Sequence, residues 1–132
     1  MDYIPKQGDI VFLNFNPQSG HEQSYKRPAL IVSNDQFFLK TRLALVCPIT
    51  NTNNKFPLHI PLDNRTKTTG VILCEHIKCL DIISRDIHFI EKIPKDIIEK
   101  TILYINFEEM SEMLFNWSER KLSSIQEYSG KV

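Results

Sequence analysis

In the stretch GHEQSYKRPALIVS, residues 20–33, a His, an acid, a Gln and two adjacent bases stand directly before a short apolar run. Arg27 immediately precedes that run and Thr50 ends the next one, with Pro28 and Pro48 stiffening the backbone beside each. If the two runs are neighbouring antiparallel strands, these positions meet. A guanidinium stays charged and presents its donors in a fixed fork. It therefore holds a phosphate through two parallel hydrogen bonds and stabilises the extra negative charge of a five-coordinate phosphorus. A Thr hydroxyl adds one more hydrogen bond. The loop before Arg27 carries His21, Glu22, Gln23, Ser24 and Lys26, types that contact a sugar-phosphate backbone or move a proton. Spacing alone fits a plainer reading equally well: Lys26 and Arg27 as solvated charges, Glu22 as a salt-bridge partner, Thr50 as an ordinary strand end. Arg65 and Lys67, in the loop 63–70, fit either a basic groove or a solvated turn. His59, His76 and His88 fall in predicted strands, where a structural histidine is the ordinary outcome.

Composition bounds what those residues can belong to. A chain of 132 residues with 42% hydrophobic content suits one domain with one core. Sixteen basic and sixteen acidic residues cancel, so any anion site has to be local. Cys47, Cys74 and Cys79 form no CxxC pair and read as reduced thiols, buried as small apolar residues. Cys74, His76 and Cys79 match no usual zinc spacing and lack an obvious fourth ligand, so no metal and no cofactor is expected. No run approaches the roughly 18 apolar residues of a membrane span, and MDYIPKQGDI is not a signal segment. A cytoplasmic protein is expected.

The elements that must position Arg27 and Thr50 follow from period and punctuation. DIVFLNF (9–15) alternates, with Val11, Leu13 and Phe15 on one side, as a strand buried mainly on one face would, and Asn16-Pro17 stops it. PALIVS (28–33) and RLALVCPIT (42–50) read as strands. FPLHIPL (56–62) puts Phe56, Leu58, Ile60 and Leu62 on one face, and its two prolines predict an edge strand. VILCEHIKCLD (71–81) predicts a fifth strand and DIHFIEKI (86–93) a sixth. After Pro94 the apolar period lengthens to three and four through Ile97, Ile98, Ile102, Ile105, Met110, Met113 and Leu114, which predicts an amphipathic helix. Phe107 and Phe115 interrupt the stripe: the helix either breaks near Asn106 or carries a second apolar face for a partner chain. Residues 1–117 read as the folded domain and 118–132 as a polar tail that frays. Short strands with a terminal helix predict a small, mainly β, curved sheet or barrel.

The segment GDIVFLNFNPQSGHEQSYKRPALIVSND resembles the opening of the MazF/PemK family of toxin endoribonucleases. It has a Gly-Asp-led first strand, an NFNP strand end, a Gly-x-Glu-Gln loop and an Arg-Pro before an apolar strand. VCPITNT (46–52) resembles that family's apolar strand ending in Pro-x-Thr, and GVILCEHIKCLD (70–81) its later strand. The likeness spans most of residues 7–82. It implies an SH3-like β-barrel of the CcdB/MazF type with a C-terminal helix, forming a homodimer with an RNA groove across both subunits. It implies metal-independent, sequence-specific cleavage of single-stranded RNA, in which the ribose 2′-OH attacks the adjacent phosphate and leaves a 2′,3′-cyclic phosphate and a 5′-OH.

Carried over by residue, Arg27 matches the catalytic Arg and Thr50 the catalytic Thr or Ser. Glu22 and Gln23 match the RNA-contacting loop, with Asn16, His21, Lys26, Arg65 and Lys67 as further substrate contacts. His76 stands where the family more commonly has Gln. His21 and Glu22 are the candidates for general base. A cognate antitoxin is the implied protein partner. The fold alone leaves two alternatives open: a CcdB-like non-catalytic inhibitor of a target such as DNA gyrase, and a plain SH3-like binding module.

Overall fold

The computed structural model describes residues 3–15, 26–52 and 55–130, with side chains throughout except at 107–109 and 124–130. Seven strands form one antiparallel sheet: β1 (Asp9–Asn14), β2 (Lys26–Ile31), β3 (Leu43–Thr50), β4 (His59–Pro61), β5 (Val71–Leu73), β6 (Lys78–Asp81) and β7 (His88–Lys92). Their order is β4-β5-β3-β2-β1-β7, and β6 also pairs with β3. The sheet does not close, since β4 and β7 lie at its two ends. The edge position of β4 suits Pro61, which has no N–H to give a ladder, and the strand is shorter than the expected 56–62, with Pro57 in the turn before it.

The central strands are buried on both faces, which differs from the one-faced strand expected at 9–15. Ile10, Leu30, Cys47 and Ile49 enter one core cluster, while Val11, Leu13, Ala29, Ile31, Ala44 and Val46 enter a second. These are alternate residues of the same strands, so the two clusters lie on opposite faces of the sheet. Each fully buried Leu or Ile there contributes about 1.5–3 kcal/mol of transfer free energy. The first face is covered by two helices, α2 (Lys95–Tyr104) and α3 (Phe107–Gly130), here numbered after a short α1 (Asp35–Thr41). Ile97 is buried, and Ile98, Tyr104, Met110, Met113 and Leu114 pack partly against the first cluster. The second face receives Phe38 of α1.

Three elements depart from the sequence expectations. Helix α1 was not anticipated: it is capped by the Asn34 side chain, which accepts from the Phe37 N–H at 3.0 Å, and it closes with Arg42 in the left-handed region at φ 64°. Its only buried residue is Phe38, so it has no apolar stripe to read. The stretch 71–81 is two strands joined by a 3-10 turn, Cys74–His76. The reason is register. Ile49 pairs with Ile72 and Val46 with Lys78, so three steps along β3 correspond to six along this stretch, and the turn takes up the excess. Finally, the helical pattern after Pro94 does break near Asn106, whose carbonyl accepts from the Met110 N–H at 2.9 Å as α3 begins. The backbone of 118–130 continues α3 rather than fraying. Among the described residues no helix is long and apolar enough to cross a membrane.

Candidate active site

Strands β2 and β3 pair with Ala29 opposite Pro48. The ladder ends at that pair; Arg27 and Thr50 each lie two residues beyond it, at positions that alternation places on the face carrying Ala29, Ile31 and Val46 into the second core cluster. That core ends before these residues do. Arg27 is exposed and Thr50 half-buried, so the apolar face of the sheet runs out into a polar rim where the two side chains emerge. Alternation also separates Arg27 from its neighbour. Lys26 forms an ion pair with Asp86 at 2.6 Å, and that hydrogen bond holds the Asp86 carboxyl below its ordinary value. Among the described residues no carboxylate pairs with Arg27.

Two concavities meet at this rim. A smaller one of about 180 Å³ is lined by Phe15, Arg27, Pro48 and Lys78, together with Leu73 and His76. A larger one of about 700 Å³ includes Thr50, Phe56, His59, Glu75 and Trp117, and again Leu73 and His76. Leu73 and His76 are thus common to both linings, and His76 is presented by the 3-10 turn that the register change creates. Lys78 adds a second cation to the Arg27 side, its Nζ 6.0 Å from the Phe15 ring centroid.

Thr50 is fixed by its surroundings. Its Oγ1 accepts from the Thr52 N–H at 3.2 Å, and its backbone pairs with Val71. Gly70, at φ +116°, lies so close that a Cβ there would fall on the Thr50 carbonyl, 2.8 Å from its carbon. Only glycine tolerates both the dihedral and the approach. The loop that delivers Gly70 is itself tied down. Glu91 of β7 accepts from the N–H groups of Lys67 (3.1 Å) and Thr68 (2.8 Å) and from the Thr68 hydroxyl (2.8 Å). Burial opposes ionisation of Glu91, but these hydrogen bonds outweigh it and hold the carboxyl below its ordinary value.

The remaining sequence candidates divide. Arg65 is forked between Asp63 and Asp96, with nitrogen–oxygen distances of 2.8 to 3.2 Å. Neither Arg65 nor Lys67 lines either concavity. Asn16, His21, Glu22 and Gln23 lie outside the described residues. Residues that sequence reasoning did not select are Phe15, Phe56, Glu75, Lys78, Trp117 and Lys121, and also His59, which was read as structural. Phe56, Glu75 and Trp117 come from three separate elements, so no local spacing marks them. Burial pushes the Cys47 thiol well up and that of Cys74 up to about 12, as inert core groups. Among the described residues no three His, Cys, Asp or Glu side chains converge as metal ligands.

Comparison with known proteins agrees with this architecture. The model of the PemK-like, MazF-like toxin family of type II toxin-antitoxin systems matches residues 6–106. Endoribonuclease PemK of Escherichia coli is 32% identical over 101 residues, covering 74% of this chain and 76% of its own. Endoribonuclease toxin ChpB of Escherichia coli K12 is 33% identical over 106 residues, covering 74% and 88%. The crystal structure of MazF from Deinococcus radiodurans superposes with a TM-score of 0.70 at 35% identity, over 79% of this chain and 94% of that one. The matched segment contains all seven strands, α1 and α2, and stops where α3 starts. The chain therefore belongs to the PemK-like, MazF-like toxin family of type II toxin-antitoxin systems.

Proposed function

We propose that the rim shared by Arg27 and Thr50 is the catalytic centre of a toxin endoribonuclease that cleaves single-stranded RNA. The chain is an endoribonuclease toxin of its family, whose similar members PemK, MazF and ChpB carry that activity in their names. The observation that carries the assignment of the site is the placement on one face, at two concavities that share a wall, of a strand-end hydroxyl and a guanidinium that pairs with no carboxylate among the described residues.

The chemistry that such a pair performs is transesterification within the substrate. The 2′-oxygen attacks the adjacent phosphorus, the bond to the 5′-oxygen breaks, and the proton lost from the 2′-OH is balanced by one gained at the 5′-oxygen. Arg27 stabilises the charge on the non-bridging oxygens, which is greatest in the five-coordinate transition state. Thr50 orients the phosphate, held in place by Thr52, Val71 and Gly70. His76, on the wall common to both concavities, contacts the strand as it passes from one to the other. The RNA supplies its own nucleophile, so DNA, which lacks it, is not cut.

The biological frame is a toxin held in check by an antitoxin in the cytoplasm, acting as a homodimer; solved MazE–MazF complexes from Deinococcus radiodurans support the partner. A CcdB-like non-catalytic inhibitor is disfavoured by the endoribonuclease relatives. The test is incubation of the purified protein with mixed RNA in excess EDTA. Fragments with 2′,3′-cyclic phosphate and 5′-OH ends are expected, absent with Arg27→Ala. Intact RNA, or cutting indifferent to Arg27→Ala, overturns the proposal.

A further inference from the structure

The family match ends at residue 106, yet Trp117 and Lys121 of α3 form part of the wall of the larger concavity beside Thr50. Trp117 meets Phe56 edge to face, with ring centroids 5.1 Å apart at 71°. Phe56 in turn tilts against His59 at 5.5 Å, and the Lys121 ammonium lies 5.7 Å from the Trp117 ring centroid. The least exposed polar lining is the pair His59–Glu75, joined through Nε2 and Oε2 at 2.7 Å with side chains 7% and 19% exposed. Its other two polar atoms, His59 Nδ1 and Glu75 Oε1, have no partner among the described residues. Buried polar atoms in that condition are uncommon, because each forfeits its hydrogen bond to water.

We propose that this chamber seats one unpaired base of the RNA beside the scissile phosphate, with Trp117 as its stacking platform. The inference rests on the RNA-cleavage reading and deepens it. At about 700 Å³ the chamber suits a nucleotide-sized group. Proteins that read single-stranded RNA splay its bases onto aromatic rings and hydrogen-bond their edges, and this lining offers both: the Trp117–Phe56 wall, and the polar side chains of exposed His76 and half-buried Thr50 beside it. Lys55 and Lys121 complete the lining with the cations that flanking phosphates require. The chamber adjoins Thr50 and shares His76 with the Arg27 concavity, so a base seated here leaves its phosphate at the reactive rim. An acidic protein segment would use the lysines but has no planar base to lay on the aromatic wall. Trp117 and Lys121 lie outside the family-matched segment, so the part of base preference that depends on them comes from α3.

Trp117 is the only tryptophan in the chain, so its emission reports the seat directly. The cleavage site is first located by sequencing RNA 5′ ends. The same sequence is then synthesised with a single 2′-deoxy at the attacking nucleotide and titrated into the full-length protein. Saturable quenching is expected, and it should survive Arg27→Ala, which abolishes cleavage but not stacking. Trp117→Ala should raise KM roughly ten-fold, the scale of one base–aromatic stack. It should also relax preference at one position next to the cut, with Trp117→Phe intermediate and both variants retaining the native circular dichroism. Unaltered emission at saturating RNA overturns the proposal, as does a Trp117→Ala enzyme with native KM and cleavage pattern. Quenching by an acidic peptide but not by RNA also overturns it. Absence of any RNA cleavage by the unmodified protein is a different failure: it removes the enzymatic reading, and this inference with it.

Discussion

Arg27 and Arg65 are both exposed arginines, and they have opposite fates. Arg65 is gripped by two carboxylates; those hydrogen bonds raise its own pKa and pull Asp63 and Asp96 below their ordinary values. Arg27 faces a concavity with no carboxylate among the described residues to neutralise it. With both edges of its fork occupied, Arg65 has one N–H left for a phosphate, whereas Arg27 keeps its donors unclaimed among the described residues. The clasp around Arg65 still serves the site, because it ties the loop after β4 to α2 while Glu91 holds the same loop to β7. That loop ends at Gly70, which abuts Thr50. One arginine thus keeps its fork open to a ligand, as the proposed site requires, and the other ties down the loop that ends against Thr50.

The sharpest way to break this contrast is Arg27→Ala, expected to lower kcat by roughly a hundred-fold or more, the scale of removing one preorganised donor from a developing anion. The melting temperature should barely move, since the side chain is exposed and makes no internal pair among the described residues. Arg27→Lys separates charge from geometry: it keeps the cation and loses the fork, so only partial activity is expected. Single-turnover kinetics on a defined RNA read both. A loss of fold in Arg27→Ala would place the residue with Arg65 instead.

Next in size is Gly70→Ala. It imposes a side chain at φ +116° and drives its Cβ into the Thr50 carbonyl, so a destabilisation of about 1–3 kcal/mol is expected. Because the displaced group is Thr50 itself, kcat should fall beyond what the unfolded fraction explains, measured at a temperature where the variant is fully folded. Native activity in a destabilised variant would disconnect the loop from the site.

How much of this contrast the sequence reveals depends on the range of the interactions involved. Strands β1 to β3 were legible because each is an apolar run stopped by a polar or proline boundary. Arg27 and Thr50 are singled out by their place at the ends of such runs, within motifs resembling a known family; residue type alone leaves them as surface groups. The pairing of Arg65 is hidden for a physical reason, since Asp63 is two residues away but Asp96 arrives from a helix whose packing the sequence does not state. The split of 71–81 was hidden because the competing registers belong to β3, not to the stretch itself. The chamber wall was hidden for the same reason: Phe56 and Trp117 meet only once α3 has folded back. Short-range chemistry was readable, and what depends on one element finding another was not.

The Glu91 tether gives a smaller, pH-dependent effect on the scaffold side of the comparison. A carboxyl held below its ordinary 4.5 in the folded state contributes stability that is complete above that value and is lost as pH falls through the folded pKa. The native protein should therefore lose melting temperature on acidification below about pH 4.5, and Glu91→Gln should lose less over the same range while starting lower at neutral pH. Thermal melts of the two proteins across pH measure this directly. Parallel curves would mean that the loop is held by something other than the ionised Glu91.

The smallest effect is expected from Arg65→Ala, and its smallness is the point. Its ion pairs are exposed, so the stability they add is discounted by solvent and salt, and little change in melting temperature should follow. Cleavage should fall only slightly, because Glu91 still holds to β7 the loop that ends at Gly70 against Thr50. Raising the salt concentration should remove even the small stability difference between variant and native protein, since screening acts on the native pair and not on the variant. A fall in cleavage comparable to that of Arg27→Ala would show that Arg65 leaves its carboxylates to meet the RNA, and the division between the two arginines would then describe only the unliganded protein.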